Sequence, residues 1–220
     1  MTTYHPEAVV CGACGRAFTH EGLSSTNAFG SPDLDMRPPE MARSTLRSQV
    51  QCCPSCGFCA VHVNDFDERF REVMAGENYQ QQLKASDYPE LASAFICAGR
   101  LSESIGQHRQ AGWAFLKAAW VLDDHRLDGL ARRWRSCAAD QFMGVLGNGE
   151  VLCEQAGASE AILVDCLRRG GRAAKALEVI RYAERGECDP IVRQILTYQR
   201  TLIENGDTAC RRIEEALCTS

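Results

Sequence analysis

The sequence Cys11-Gly-Ala-Cys14-Gly15 returns in a close variant as Cys53-Pro-Ser-Cys56-Gly57, and positions 15–52, 38 residues, separate the two cysteine pairs. A two-residue gap lets both sulfurs of a tight turn point at one ion, and the glycine that follows permits the positive φ that closes the turn. Two such turns supply the four thiolates of a closed tetrahedral site. The motifs therefore predict a zinc-ribbon-like module whose metal ligands are Cys11, Cys14, Cys53 and Cys56.

The predicted ion is a structural Zn²⁺, because four protein ligands leave no open position for an activated water. Metal binding contributes on the order of 10 kcal/mol to the folding of such a module, which is enough to order a segment with little apolar core. Iron is an alternative, since pairs of this type also hold iron and both metals accept tetrahedral thiolates.

The chain has 13 cysteines, and six of them lie in the first 59 residues. Cys52 is an alternative to Cys53 as a ligand, although its gap to the second cysteine is three residues. Cys59, His20 and His62 are either neighbours of the site or substitute ligands, and we expect each to be a bystander. The other seven cysteines are scattered through apolar helical patterns, where a free cysteine behaves as a small hydrophobe. The odd count disfavours a disulfide framework.

The chain divides into regions of different composition. Residues 1–63 form the predicted metal module, with short strands at 8–10 and 48–51, a third candidate at 59–63 and a loop-like stretch over 19–39. Residues 64–89 are predicted to be a helix that begins at Asn64, followed by a polar linker from Ala75 to Pro89.

Residues 90–220 read as successive helices, because apolar residues keep a 3.6-residue period and Gly or Asn-Gly pairs punctuate them. The first helix begins at Glu90 and ends near Gly106, and the third ends before Gly147. The stretch Leu163–Leu177 resembles a tetratricopeptide hairpin. The fold class is therefore mainly α, a small zinc-ribbon-like β module followed by a tetratricopeptide-like helical array, with an irregular bundle as the alternative. The remaining helices are predicted at 158–169, 173–183, 190–204 and 208–217.

The segment Ser31-Pro-Asp-Leu-Asp-Met-Arg-Pro-Pro39 lies between the cysteine pairs. In an extended conformation Asp33, Asp35 and Arg37 project to one side, and Leu34 and Met36 to the other. One interpretation is a loop anchored by Leu34 and Met36 with its charges facing water. The other is a polar recognition surface beside the metal module, with these three charged residues as binding residues.

These motifs together resemble an uncharacterised bacterial family, a domain of unknown function. Its members have an N-terminal Cys-x-x-Cys pair, a linking stretch similar to 24–27 and 31–39, a Cys-Pro-x-Cys-Gly second pair and tetratricopeptide-like helices. The resemblance implies metal ligands at the four cysteines of the two motifs and draws attention to Asp33, Asp35 and Arg37. It implies no activity.

The composition of the chain bears on its class, its partners and its location. The chain is 45% hydrophobic and 24% charged with a net charge of −5, which is typical of a globular protein and disfavours nucleic acid or anionic lipid as a partner. Met1–Glu7 lacks a basic region followed by an apolar stretch, so we predict a cytoplasmic protein without membrane spans.

The leading hypothesis is a metal-binding adaptor or scaffold whose helical domain binds a protein or peptide partner. The alternative is an enzyme of unknown reaction that uses the segment of Asp33, Asp35 and Arg37. No phosphate-binding loop, zinc-protease helix or nucleophile elbow supports catalysis, so the sequence favours a non-enzymatic role. Nucleic-acid binding and redox sensing have weaker support.

Overall fold

The computed structural model describes residues 1–218, and the fold is mainly α with small N-terminal β hairpins, as predicted. Thr219 and Ser220, at the end of the predicted tetratricopeptide-like domain, lie outside the described residues. No helix within residues 1–218 combines the length and apolar character needed to cross a bilayer.

The first hairpin surrounds the first cysteine pair. Strand β1 (Thr3–Val10) pairs antiparallel with β2 (Ala17–Ser25), with Val10 opposite Ala17 at the closed end. The prediction of a loop over 19–39 is thus wrong for its first part. Most side chains of this hairpin are exposed, so it is formed by backbone pairing and its sequence carries little apolar alternation.

The second cysteine pair lies in a shorter hairpin. A 3₁₀ helix (Ala42–Gln49) leads into β3 (Gln51–Cys52), which pairs antiparallel with β4 (Cys59–Ala60). The strands predicted at 48–51 and 59–63 are present in shortened form, because the 3₁₀ helix includes Ser48 and Gln49.

Two short helices follow. Helix α1 (Phe70–Ala75) begins later than the predicted start at Asn64, and α2 (Glu77–Leu83) occupies the stretch predicted to be a polar linker. A helix within this linking stretch was not predicted, because α2 presents only a narrow apolar face, with Tyr79 buried and Leu83 half-buried.

The helical array follows the predicted boundaries closely. Short turns join most neighbours, so these helices run antiparallel, and each helix contacts the next while α6 also contacts α8. Two tryptophans of the apolar stripes, Trp120 and Trp134, are buried in the core. The last helix begins at Ile213 rather than Thr208, because residues before it contact the N-terminal region. The helices are α3 (Glu90–Ser104), α4 (His108–Asp124), α5 (Asp128–Gly147), α6 (Ala158–Arg169), α7 (Ala173–Ala183), α8 (Pro190–Glu204) and α9 (Ile213–Leu217).

Candidate metal centre

The four predicted ligands meet at one point. Their Sγ atoms all lie within 4.8 Å of one another, although the two pairs come from different hairpins. The Sγ atoms of Cys11 and Cys56 are 3.6 Å apart, as are those of Cys14 and Cys53. Zinc–sulfur bonds of about 2.3 Å place the corners of a tetrahedron about 3.8 Å apart. The sulfurs therefore have the spacing that a tetrahedral metal ion requires.

The two cysteine motifs have the same backbone structure, and we call residues 11–16 the first knuckle and 53–58 the second. In the first, the N–H of Gly15 donates to the carbonyl of Cys11 at 2.8 Å. In the second, the N–H of Gly57 donates to the carbonyl of Cys53 at 2.9 Å. Both glycines have positive φ, 74° and 73°, which is the conformation the motif predicts.

The thiols cannot all ionise easily without a cation. Burial raises the pKa of Cys56 to about 12, and it also raises the pKa of Cys11. Burial acts in the same direction on Cys53, but N–H groups of Cys56 and Ser55 and neighbouring thiols lower its pKa to about 7. A bound divalent cation supplies the positive charge that four adjacent thiolates need.

The second knuckle is attached to helix α2. The Tyr79 hydroxyl donates to the carbonyl of Gly57 at 2.8 Å and accepts from the N–H of Cys59 at 3.3 Å. A Cβ at Gly57 would lie 2.3 Å from the Leu83 side chain, so this helix packs directly on the knuckle turn. The helix missed by sequence analysis therefore connects the metal module to the helical array.

The first knuckle contacts the chain that leaves the second hairpin. The N–H of Gly12 donates to the carbonyl of Val63 at 2.8 Å. Nearby, Phe58, Phe66 and Phe70 form a cluster of three rings with centroids 5.3 to 6.1 Å apart. This cluster supplies the apolar contact that two small hairpins cannot provide.

The remaining candidates around the site are not part of the four-sulfur cluster. Cys52 and Cys59 are opposite each other in β3 and β4, with Cα atoms 4.1 Å apart, and form a disulfide. Neither was predicted to be a disulfide cysteine, because the pairing register that places them opposite each other is not evident from the sequence. His62 is exposed and His20 is half-buried in β2. The other eleven cysteines of the described chain are free.

The charged segment between the knuckles is a tight turn within the predicted loop and not the extended stretch in which its charged side chains would share one side. The N–H of Asp33 donates to the carbonyl of Arg37 at 2.9 Å, and Met36 has φ 65°. We call residues 33–37 the aspartate turn. Leu34 is buried as expected, but Met36 is exposed while the charged side chains are buried.

Asp35 is the centre of this turn's contacts with the helical array. Its carboxylate accepts from Trp120 Nε1 at 2.8 Å and from an Arg169 nitrogen at 3.2 Å, with an Arg135 nitrogen at 3.6 Å. Its exposed fraction is 0%. Burial acts to raise the pKa of Asp35, but the guanidinium groups of Arg169 and Arg135 outweigh it and hold the pKa below its usual range.

The other two charged residues of the turn are also paired. Arg37 donates to the carbonyl of Trp120 at 3.3 Å and to the carboxylate of Asp124 at 2.6 Å. Asp33 accepts from Arg43 at 2.5 Å. The structure thus buries all three predicted binding residues in ion pairs: Asp35 and Arg37 pair with the helical array, and Asp33 pairs with Arg43 of the 3₁₀ helix.

The helical partners of this network were not predicted from the sequence. Arg135 and Arg169 both bind the carboxylate of Asp123 and both face Asp35. Asp35 and Arg169 are 134 positions apart. A charged residue on an otherwise apolar helical stripe, such as Arg135 next to Trp134, is the signal that could have identified them.

The aspartate turn also contacts the C-terminal segment. The N–H of Leu34 donates to the carbonyl of Arg211 at 2.9 Å, and the N–H of Ile213 donates to the carbonyl of Pro32 at 2.9 Å. Asp33 and Arg212 form an antiparallel bridge. These bonds explain why the last helix begins at Ile213.

Comparison with models of known protein families, with curated proteins and with solved structures finds no match for this chain. The resemblance to a family of unknown function therefore stays a prediction, supported by the four-cysteine cluster, the small hairpins and the helical array.

Proposed function

We propose that this protein is a zinc-stabilised adaptor, in which a structural Zn²⁺ on Cys11, Cys14, Cys53 and Cys56 orders the N-terminal module and the helical array binds a protein or peptide partner. The convergence of four cysteine sulfurs to mutual distances below 4.8 Å is the observation that carries the proposal. A site of four protein sulfurs is coordinatively complete, which favours structure over catalysis.

Metal analysis tests the first half of this proposal. We expect one zinc per chain by elemental analysis and no visible absorption from the purified protein, because Zn²⁺ has a filled d shell. Stoichiometric iron with a visible thiolate absorption would mean that the structural metal is iron and not zinc. A metal-free chain with an ordered N-terminal module would refute the proposal.

Support for a partner comes from the outer helices. Tyr182 on α7 is 71% exposed, and Ile191 at the start of α8 is 50% exposed. Exposed aromatic and aliphatic side chains on a helical array are the type of residue that anchors protein interfaces. The net charge of −5 favours a protein partner over nucleic acid.

Affinity capture with matched variants tests this second half. We expect the metal-loaded protein to retain a specific protein from native lysate, and Tyr182→Ser to reduce its recovery. Val151→Ser is the control, since Val151 is also exposed, at 48%, but lies in the loop between α5 and α6. Equal recovery with the unaltered protein and both variants would show that the outer helices are not the binding surface.

The alternative of an enzyme acting through the aspartate turn has less support. Asp35 has no exposed surface, and its pKa is lowered by Arg169 and Arg135 although burial opposes this. A carboxylate held ionised in this way is poorly suited to exchange protons with a substrate near neutral pH. The contacts of Asp35 are better explained by attachment of the turn to the helical array.

A further inference from the structure

A cavity of about 770 Å³ lies beside the aspartate turn, and the metal-dependent role proposed above does not use it. Its walls are the turn, the end of α4, the first turns of α5, the end of α6 and residues 208–210 before α9. We call this cavity the arginine pocket. Its volume falls within the range of sites that bind small molecules, roughly 300–1,000 Å³.

Arginine side chains dominate the pocket. Three of them, Arg37, Arg135 and Arg169, are buried with exposed fractions of 8% or less. Arg132 is exposed, and its guanidinium forms no ion pair within residues 1–218. The five arginines of the lining are Arg37, Arg43, Arg132, Arg135 and Arg169.

The acceptors around these arginines do not occupy every N–H group. A guanidinium carries five N–H groups, and Arg169 uses two nitrogens, one on Asp35 and one on Asp123. The Nε atoms of Arg37, Arg135 and Arg169 are buried and have no partner in the described chain. Buried donors without acceptors are rare in folded proteins, and these three belong to arginines that line one cavity.

Carboxylates balance this charge, but two of them do not reach the cavity. Asp33 and Asp35 are 2% and 0% exposed and do not line it, but each pairs with an arginine that does. The carboxylates of the lining itself are Asp123, Asp124 and Asp128, against five arginines. Asp123 is bound by two arginines and Asp124 by Arg37. With Asp33 and Asp35 included, five carboxylates match the five arginines in charge. A ligand in the cavity is therefore offered the N–H groups that these pairs do not use, above all the guanidinium of Arg132.

We propose that the arginine pocket binds a small-molecule oxyanion, a compound that carries a phosphoryl or carboxylate group. Guanidinium groups match the geometry of such groups and bind them with charge-assisted hydrogen bonds. The rest of the lining is small or polar, with Gly129, Thr208, Ala209 and Cys210. It offers no large apolar contact of the kind that anchors a peptide side chain, so a small polar molecule fits better than a protein segment.

Isothermal titration calorimetry of the full-length, metal-loaded protein tests this inference. The probes are pyrophosphate for phosphoryl groups and succinate for carboxylates, with sodium chloride holding the ionic strength constant. The diagnostic variant is Arg132→Gln, because Arg132 lines the pocket without an ion pair and its loss leaves the buried network intact. The matched control is Arg133→Gln, which removes the same charge from the neighbouring exposed residue outside the lining.

We expect saturable binding of at least one probe, weakened about tenfold by Arg132→Gln through loss of one charge-assisted contact, with the control within about twofold of the unaltered protein. The probe that binds identifies the oxyanion. Zinc content measured after titration verifies that pyrophosphate has not removed the metal. Binding of neither probe, or equal weakening by both variants, would overturn the proposal. Binding of a glutamate-rich peptide but of neither small anion would also overturn it and assign the pocket to a peptide partner.

Discussion

Cys14 is the most exposed of the four clustered cysteines, so its thiol can be removed without opening a cavity in the core. A serine hydroxyl ionises far less readily than a thiol and is a poor zinc ligand. We expect Cys14→Ser to lose its metal and to expose residues 1–63 to proteolysis, as measured by elemental analysis and limited digestion.

Cys218→Ser is the matched control for this substitution. Cys218 is also exposed, but it lies at the end of the helical array, away from the four sulfurs. We expect this variant to keep its zinc. Equal metal content in both variants would mean that Cys14 is not a metal ligand.

Asp35 is the acceptor on which two buried arginines converge, so we expect Asp35→Asn to destabilise the protein by about 3–5 kcal/mol. The neutral amide leaves Arg135 and Arg169 without one of their counter-charges in a buried site. The measurement is the free energy of unfolding in urea. Asp140→Asn is the control, because its pair with Arg172 is largely exposed and worth less than about 1 kcal/mol. Similar losses in both variants would contradict the role given to Asp35.

The contribution of Asp35 to the free energy of unfolding should depend on pH. The pKa of Asp35 is lower in the folded protein than in the unfolded chain, so its contribution is fully present above the unfolded pKa of about 3.9. It is lost as pH falls through the lower folded pKa. We expect the stability difference between the unaltered protein and Asp35→Asn to be constant from pH 5 to 7 and to shrink below about pH 4. A difference that stays constant at pH 3 would show that the carboxylate charge is unimportant.

At the scale of elements, the two knuckles provide an internal comparison. Gly15 and Gly57 have nearly the same φ, but a Cβ at Gly15 meets nothing within 4 Å, whereas one at Gly57 meets Leu83 of α2 at 2.3 Å. We expect Gly15→Ala to cost about 1 kcal/mol from backbone strain. Gly57→Ala should cost about 2 kcal/mol more because it also disturbs the packing of α2.

Urea unfolding of the metal-loaded variants measures both effects. The double variant Gly57→Ala, Leu83→Ala should recover part of the additional loss, since it removes the clashing atoms. Equal costs at both glycines would mean that α2 does not restrain the second knuckle.

These elements also mark the limits of the sequence analysis. The knuckles and the longer helices were predictable because their signals are local, a cysteine spacing in one case and a 3.6-residue period in the other. Helix α2 was missed because Tyr79 and Leu83 are its main apolar contacts and they face a hairpin that lies earlier in the chain. The conformation of the aspartate turn was not predictable because Trp120 and Arg169, which bind Asp35, are distant in sequence.

At the scale of the whole molecule, the four-cysteine cluster and the aspartate turn restrain the same loop. The cluster joins the ends of the loop, and the turn attaches its middle to the helical array. The 38 residues between the cysteine pairs contain the turn, and joining the ends of a loop of that length removes about 4 kcal/mol of chain entropy. A metal ion on the four cysteines would supply this closure, so less entropy would be lost when the turn docks on the helical array. Metal binding and docking of the turn should therefore be energetically coupled, although the two processes involve different residues.

Hydrogen exchange before and after metal chelation tests this coupling. We expect faster exchange not only at the knuckle amides of Gly15 and Gly57 but also at the turn amides of Asp33 and Leu34, which donate to Arg37 and Arg211 rather than to the metal site. Amides in the centres of α4 and α5 should be unchanged, since their helical bonds do not depend on the N-terminal module. If chelation accelerates the knuckle amides alone, the turn docks independently of the metal, because its ion pairs with Arg135 and Arg169 would then be sufficient without the closed loop.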